Sequence, residues 1–117
     1  MIAPAIAIAQ HFGDCLTHAD YETAYSLLSP ELQHLSSPHT LQHTVETMIA
    51  YGSGPILRAI AMTDCLLTEW QYPPMEPQDV LWIYISLEGQ DFMEAVAVIV
   101  NQQGEKFTLR WLEWGRP

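Results

Sequence analysis

VLWIYISLEGQDFMEAVAVIVNQQGEKFTLRWLEW, residues 80–114, decides the fold of this chain. It contains three apolar segments, 80–88, 92–101 and 106–114, which are joined by the short polar sequences GQD and QQGE. Such segments favour strands, and strands joined by short turns pair antiparallel. A further strand is predicted over 56–70, before the polar, proline-broken loop YPPMEPQD. The second half of the chain is therefore predicted to form an antiparallel meander.

The first half of the chain carries the signals of helices. Residues 4–18 repeat apolar side chains at spacings of three and four, which predicts a helix with one core-facing stripe. Three further helix starts are predicted from capping residues and first-turn prolines. They are Asp20 before YETAYSLL, Ser29 before Pro30, and SPHT, which opens a helix from Pro38 to about Tyr51 that Gly52 closes. Residues 1–117 are thus predicted to form one α+β domain, with N-terminal helices packed on a strongly curved antiparallel sheet.

Composition and charge exclude several partners. The 117 residues are 49% apolar, typical of a single globular domain, and carry a formal charge of −10. The four basic residues are Arg58, Lys106, Arg110 and Arg116. Nucleic acids and anionic membranes require clustered Lys and Arg, so neither partner is expected.

The termini and the cysteines indicate a compartment. The N-terminal sequence MIAPAIAIAQHF lacks the positive region of a secretion signal, and no segment reaches the ~20 apolar residues of a membrane span. Cys15 and Cys65 both lie in apolar patterns, where reduced thiols in the core are expected. These features predict a soluble cytoplasmic protein.

Two stretches carry a resemblance to a known family. FGDCLTHADYETAYSLLSPEL (12–32) looks like the first three helices of the nuclear transport factor 2-like superfamily, which includes SnoaL-like and ketosteroid-isomerase-like proteins. VIVNQQGEKFTLRWLEW (98–114) is similar to the closing strand pair of that superfamily. The resemblance implies a cone-shaped roll whose wide end is plugged by helices. It implies no particular activity, because this fold hosts isomerases, dehydratases, cyclases and proteins without chemistry.

The histidines raise the question of a metal site. HFGDCLTH holds four side chains of metal-binding type: His11, Asp14, Cys15 and His18. On a helix whose buried stripe is centred on Phe12, Cys15 falls about 60° and Asp14 about 160° from that centre, so the four fan out and do not converge. In HTLQH, His39 and His43 lack the glutamate of a zinc-hydrolase helix. No metal and no other cofactor is predicted.

The inward face of the sheet decides whether a cavity exists. Phe107, Leu109 and Trp111 are predicted to face the helices, opposite Ile99, Ala97 and Ala95 on the preceding strand. A two-residue turn at GQD would add Trp82, Tyr84, Ser86 and Glu88 to that face, giving a polar cavity. A three-residue turn would add Leu81, Ile83, Ile85 and Leu87, giving a dry core, because a shift of one residue inverts every side chain. The unbroken apolar set favours the dry core.

Two functions remain open. The first hypothesis is a non-catalytic domain that binds a small ligand or another protein. Any ligand is expected to be small and apolar, held by Phe107, Leu109, Trp111 and Phe12, with His11 at the rim of the pocket. The alternative is a lyase or isomerase of the SnoaL or ketosteroid-isomerase type, which is one of the activities found among the resembled proteins. Its acid–base pair would be Tyr84 and Glu88, acting on a small apolar substrate in the cone cavity.

A homodimer is predicted from the other face of the sheet. If the dry core forms, large apolar side chains also lie on the face turned away from the helices, where a monomer should be polar. Packing of two sheets around a two-fold axis would cover them. The predicted interface residues are Trp82, Tyr84, Val96, Val98, Arg110 and Leu112.

Overall fold

The structure is a computed structural model that describes residues 2–50 and 54–115. The helices are α1 (Ala3–Thr17), α2 (Tyr21–Ser26), α3 (Pro30–His34) and α4 (Pro38–Ile49). The strands are β1 (Arg58–Ala61), β2 (Asp79–Glu88), β3 (Met93–Gln103) and β4 (Lys106–Gly115), with one turn of 3₁₀ helix at Thr63–Cys65. The strands form one antiparallel sheet in the order β1-β2-β3-β4, which confirms the predicted α+β class.

Side-chain caps define the starts of the shorter helices, as predicted. The Asp20 carboxylate accepts a hydrogen bond from the Thr23 amide at 3.2 Å, and the Ser29 hydroxyl accepts one from the Leu32 amide at 3.2 Å. Ser37 caps α4 in the same way. Each bond satisfies an amide that has no partner within its helix. The predicted end of α4 at Tyr51 and Gly52 lies outside the described residues. Among the described residues, no helix has the length and apolarity needed to cross a membrane.

The strand predicted over 56–70 is confirmed only at Arg58–Ala61. After Ala61 the chain leaves β2 for the 3₁₀ turn and returns at Leu67, which exchanges two backbone hydrogen bonds with Trp82, of 2.8 and 2.9 Å. An edge strand has only one partner, so such a detour interrupts few ladder bonds. The apolar segment 56–70 therefore pairs with β2 at two short stretches instead of along one continuous strand.

The hydrophobic core lies between α1 and the sheet. Leu81, Ile83, Ile85 and Leu87 are fully buried on the face that meets the helices, as the dry-core alternative predicted. Phe12 of α1 packs into the same core. The other core residues from the sheet are Ala59, Ala61, Val96, Val98, Val100 and Leu109.

Both hairpin turns differ in length from the prediction, but β2 still turns the predicted face toward the helices. Glu88 pairs with Met93, so four residues, 89–92, separate the paired positions instead of two or three. Gln103 pairs with Lys106, which sets Leu109 opposite Val100 and not opposite Ala97. The faces of β3 are consequently inverted relative to the prediction. The valines of β3 face the helices, and Ala95, Ala97 and Ile99 face away from them.

A β-bulge at Arg110 breaks the alternation of β4. Val100 pairs with Leu109 and Ile99 pairs with Trp111, so Arg110 is an extra residue in the strand. As a result Arg110 and the following Trp111 both lie on the face away from the helices. Leu112 and Trp114 pack against the core, where the Trp114 ring lies 6.5 Å from the ring of Phe12. The predicted inward position of Trp111 is therefore wrong.

Helix α1 approaches the sheet most closely at Gly13. A Cβ atom at this position would lie 2.8 Å from both Ala59 Cβ and Ile85 Cγ2. At an exposed helical site, replacing glycine by alanine stabilises by about 1 kcal/mol. Here overpacking costs about 1–3 kcal/mol, so we expect Gly13→Ala to lower the free energy of unfolding in urea. Ala7→Gly, at an exposed position of the same helix, measures the difference in helix propensity between alanine and glycine alone. If Gly13→Ala raises the free energy of unfolding by as much as Ala7→Gly lowers it, the close approach is contradicted.

Candidate binding face of the sheet

The sheet face turned away from the helices, here called the outer face, carries an apolar strip. Its first cross-strand row joins Leu67, Trp82, Ile99 and Trp111. The next row joins Tyr84, Ala97 and the exposed Glu113, and the row after it joins Ile60, Ser86 and Ala95. This apolar strip crosses all four strands of the sheet.

The apolar strip has large side chains around a floor of smaller ones. Ala97 and Ile99 on the central strand β3 are buried, whereas Trp82 and Tyr84 on β2 remain partly exposed. The rings of Trp82 and Tyr84 meet edge to face, with centroids 4.6 Å apart. Ile60 and Leu67 are exposed toward the β1 side of the strip. Aromatic side chains over a buried apolar floor are typical of the centre of protein–protein interfaces.

Charge is distributed unequally between the two layers. The three cations of the described residues all lie on strands, Arg58 on β1 and Lys106 and Arg110 on β4. Helices α1–α4 contain no Lys or Arg and carry four acidic residues: Asp14, Glu22, Glu31 and Glu46. On the sheet, Arg58 pairs with Glu88 at 2.6 Å and Arg110 pairs with Asp79 at 2.6 Å. The acidic side chains of the helices therefore have no cation within their own layer, whereas residues 54–115 carry nine acidic side chains against three cations.

Arg110 links β4 to the start of β2 and to the proline loop at one end of the outer face. Its Nε and Nη2 atoms donate to the two carboxylate oxygens of Asp79 at 2.6 and 2.7 Å, and Nη2 also donates to the Pro74 carbonyl at 3.1 Å. The Asp79 side chain is 0% exposed, and it accepts further hydrogen bonds from Asn101 and from the Glu76 amide. The bulge places Arg110 where its side chain reaches the first residue of β2. The proline loop is thereby fixed to the end of the sheet.

These contacts set the ionisation of the pair. Burial raises the pKa of Asp79, but the hydrogen bonds from Arg110, Glu76 and Asn101 outweigh it, so the pKa lies below its ordinary value. The hydrogen bond to Asp79 raises the pKa of Arg110 above its ordinary value. Asp79 is therefore ionised at neutral pH although its side chain is buried.

The proposed acid–base pair does not enclose a common site. Tyr84 and Glu88 both lie on the outer face, four residues apart on one strand, which separates their Cα atoms by about 13 Å. The hydrogen bond from Arg58 lowers the pKa of Glu88, with a further contribution from Ser86. A general acid or base for use at neutral pH needs a shift in the opposite direction. This geometry does not favour the lyase or isomerase alternative.

The predicted ligand-pocket residues are dispersed. Phe12 and Leu109 are fully buried core residues, and Phe107 packs against the same core. Trp111 lies on the outer face, and His11 is exposed on α1. The structure therefore does not bring these five side chains together around one pocket.

The predicted interface residues divide between the two faces. Trp82, Tyr84 and Arg110 lie on the outer face, as predicted. Val96, Val98 and Leu112 face the helices, and that part of the prediction is wrong. The turn lengths invert β3, and the bulge inverts β4 beyond Arg110. Leu67 and Ile60, which the sequence analysis did not assign to the interface, take their place in the apolar strip.

The metal-binding side chains of α1 point in different directions. His11, Asp14 and His18 are exposed, whereas Cys15 is buried, with its pKa raised by burial and by the nearby Asp20 and Asp14. Within residues 2–50 and 54–115, no three His, Cys, Asp or Glu side chains are grouped so that they could hold a metal ion. Cys15 and Cys65 are both free thiols, but Cys65 is exposed, so its predicted place in the core is wrong.

The ion pair of Asp79 and Arg110 was missed by the sequence analysis, although an arginine inside an otherwise apolar strand is a signal for a buried partner.

Comparisons of the chain with protein-family models, with curated proteins and with solved structures found no match.

Proposed function

We propose that this chain is a non-catalytic protein-interaction domain that works as a homodimer through the outer face of its sheet. The observation that carries this proposal is the apolar strip around Trp82, Tyr84 and Ile99 on an otherwise regular sheet. A sheet that faces water alternates apolar and polar residues, whereas β3 is apolar on both faces from Ala95 to Val100. Sheet-to-sheet packing around a two-fold axis covers such a strip.

Ion pairs on the outer face reduce the repulsion that two acidic copies would otherwise meet there. Two chains of charge −10 repel each other, and the repulsion is smallest where acidic side chains are already paired. Glu88 and Asp79 on the outer face are paired with Arg58 and Arg110, whereas the helices offer no such cations. Contact through the sheets therefore brings no unpaired charge from Asp79 or Glu88, and the exposed Glu113 opposite Ala97 is the carboxylate that such a contact must accommodate.

We further propose that the domain, over residues 1–117, is a nuclear transport factor 2-like domain with a strongly curved, cone-shaped sheet, and that it is cytoplasmic. Four N-terminal helices followed by a four-stranded meander support the fold, and the two free thiols support a reducing compartment. The filled core between α1 and the sheet supports protein interaction over the binding of a small apolar ligand there.

Sedimentation equilibrium tests the dimer. We expect a wild-type dimer at micromolar concentration and, for Trp82→Glu, a dissociation constant raised by about 30-fold or more, because a charge would replace a central aromatic residue. Leu67→Glu, at an exposed position of the apolar strip, should weaken the dimer without affecting the fold of the protomer.

Leu35→Glu is the matched control, because Leu35 is 82% exposed in the helical half of the chain. This variant adds the same charge and should leave the dimer intact. A wild-type monomer at micromolar concentration would refute the homodimer. Equal weakening by Leu35→Glu would show that added charge, and not the outer face, is responsible.

A further inference from the structure

A polar pocket lies at the end of the sheet, beyond the apolar strip. It encloses about 250 Å³ between the start of α3, the β3–β4 hairpin and the loop that precedes β2. Its lining residues are Ser29, Pro30, Glu31, Glu76, Asn101, Gln103, Lys106, Thr108 and Arg110. Apart from Pro30 these side chains are polar or charged, so the pocket does not suit an apolar ligand.

The floor of this polar pocket is built from buried polar side chains. Among the described residues, five polar or charged residues are buried as whole residues, backbone included: Ser29, Ser86, Glu94, Asn101 and Thr108. Three of these five line the polar pocket. Ser29 is fixed beside β4 by the bond from its amide to the Leu109 carbonyl, at 2.7 Å, and Asn101 pairs with Thr108 across the hairpin. The Ser29 hydroxyl accepts from the Leu32 amide and the Asn101 amide donates to Asp79, so these polar groups are held in place by the chain itself. They give the pocket a preformed polar surface, which suits a polar ligand better than an apolar one.

The walls of the polar pocket carry both signs of charge. Lys106 lies on the hairpin and Arg110 on the bulge, while Glu31 comes from α3 and Glu76 from the loop before β2. Arg110 is occupied by Asp79 and by Glu76, whose carboxylate lies 3.3 Å from Nη1. Within the part of the chain that the structure describes, Lys106 and Glu31 make no side-chain hydrogen bond or ion pair. One free ammonium and one free carboxylate therefore line the same pocket.

We infer that this polar pocket binds a small zwitterion of the amino-acid class. Lys106 receives the carboxylate of the ligand, Glu31 receives its ammonium group, and the hydroxyl and amide groups of the floor bind what remains of its polar surface. A simple anion is repelled by a chain of charge −10, and a simple cation meets Lys106 and Arg110. A zwitterion avoids both penalties.

The surroundings leave room for a side chain on such a ligand. A second depression of about 340 Å³ is lined by Ser29, Glu31, Glu76, Gln103 and Arg110, all of which also line the polar pocket. The two depressions therefore adjoin each other. A ligand whose charged groups lie between Lys106 and Glu31 would extend its side chain toward Glu76 and Gln103, which favours a polar side chain.

A screen of the free L-amino acids by thermal shift, followed by calorimetry on the strongest, tests this inference. We expect at least one to bind, and its N-acetyl and carboxamide derivatives to bind about tenfold more weakly or worse, because each lacks one charge. Lys106→Met and Glu31→Gln should each weaken binding of the free amino acid to a similar extent. Both residues are exposed, so these variants should fold normally.

Two control variants change the net charge by the same amounts. Glu46→Gln on α4 matches Glu31→Gln, and Arg58→Met on β1 matches Lys106→Met. Unchanged binding by both controls is expected. The inference is overturned if no amino acid binds at millimolar concentration, if the blocked derivatives bind as tightly as the free form, or if the controls lose as much affinity as the pocket variants. Because the dimer is measured by sedimentation, either proposal can fail without the other.

Discussion

Replacing Arg110 by methionine is expected to lower the free energy of unfolding by about 3 kcal/mol at pH 7, measured by urea denaturation. The substitution leaves the Asp79 carboxylate, whose side chain is 0% exposed, without a counter-charge. Removing one partner of a buried ion pair costs about 3–5 kcal/mol. The lower end applies because the Asn101 amide and the Glu76 backbone amide still donate to Asp79.

The difference between wild type and Arg110→Met should depend on pH. The folded-state pKa of Asp79 is lowered, so its ionised form stabilises the native state above the unfolded pKa of about 3.9, and this stabilisation is lost as the pH falls through the folded pKa. The deficit of the variant should accordingly be full at pH 7 and shrink below pH 4. A deficit that is constant with pH would mean that Arg110 acts through packing alone.

Two further variants separate the ion pair from other effects. Arg58→Met removes a cation that also contacts a carboxylate at 2.6 Å, but Arg58 is 69% exposed, so we expect a cost of only about 0–1 kcal/mol. Asp79→Asn combined with Arg110→Met removes the stranded charge and should be more stable than Arg110→Met alone. If the double variant is less stable than the single one, the stranded charge is not the cause of the loss.

The second large effect is expected at Phe12. Phe12 is fully buried between α1 and the sheet, with its ring 6.5 Å from that of Trp114. In a filled core, Phe12→Ala costs about 3–5 kcal/mol, because it removes transferred apolar surface and leaves a cavity. If Phe12 instead lined an open ligand cavity, as one sequence hypothesis held, the cost would be much smaller. Urea denaturation of the variant therefore decides between a core and a pocket.

Tyr72→Ala is the matched control for this substitution, because Tyr72 is an aromatic residue that is 78% exposed. Its replacement should change the free energy of unfolding by less than about 0.5 kcal/mol. A similar loss in both variants would point to a general effect of removing aromatic residues. A loss near 1 kcal/mol for Phe12→Ala would favour the open cavity.

Local signals allowed much of the fold to be predicted. The caps at Asp20 and Ser29 act within three residues, so the sequence determines them directly. The strand segments of β2, β3 and β4 are long and apolar, and short turns join them, so their existence and antiparallel order follow from the same stretch. The inward set from Leu81 to Leu87 was recognisable because an unbroken apolar face needs a core.

The faces of β3 and β4 could not be derived in the same way. Val96, Val98 and Val100 alternate with Ala95, Ala97 and Ile99, so both sets are apolar and neither identifies itself as the core set. Only the pairing register distinguishes the two sets, and the register depends on the lengths of the turns. Gly89 and Gly104 indicate that turns occur there, but each is compatible with turns of several lengths. The candidate interface combined β2, whose faces were recognisable, with two strands whose faces were not, and it was accordingly half correct.

The bulge at Arg110 has a consequence for insertions and deletions in β4. If Arg110 is removed from the chain, Leu109, Leu112 and Trp114 still face the helices, and Trp111 still lies between them on the opposite side. Deleting Glu113 instead would move Trp114 from the side of the helices to the outer face. Arg110 is thus a supernumerary residue in a strand that is otherwise strictly two-periodic. A homologous sequence one residue shorter here should have its gap at Arg110, and it should also lack the acid at position 79.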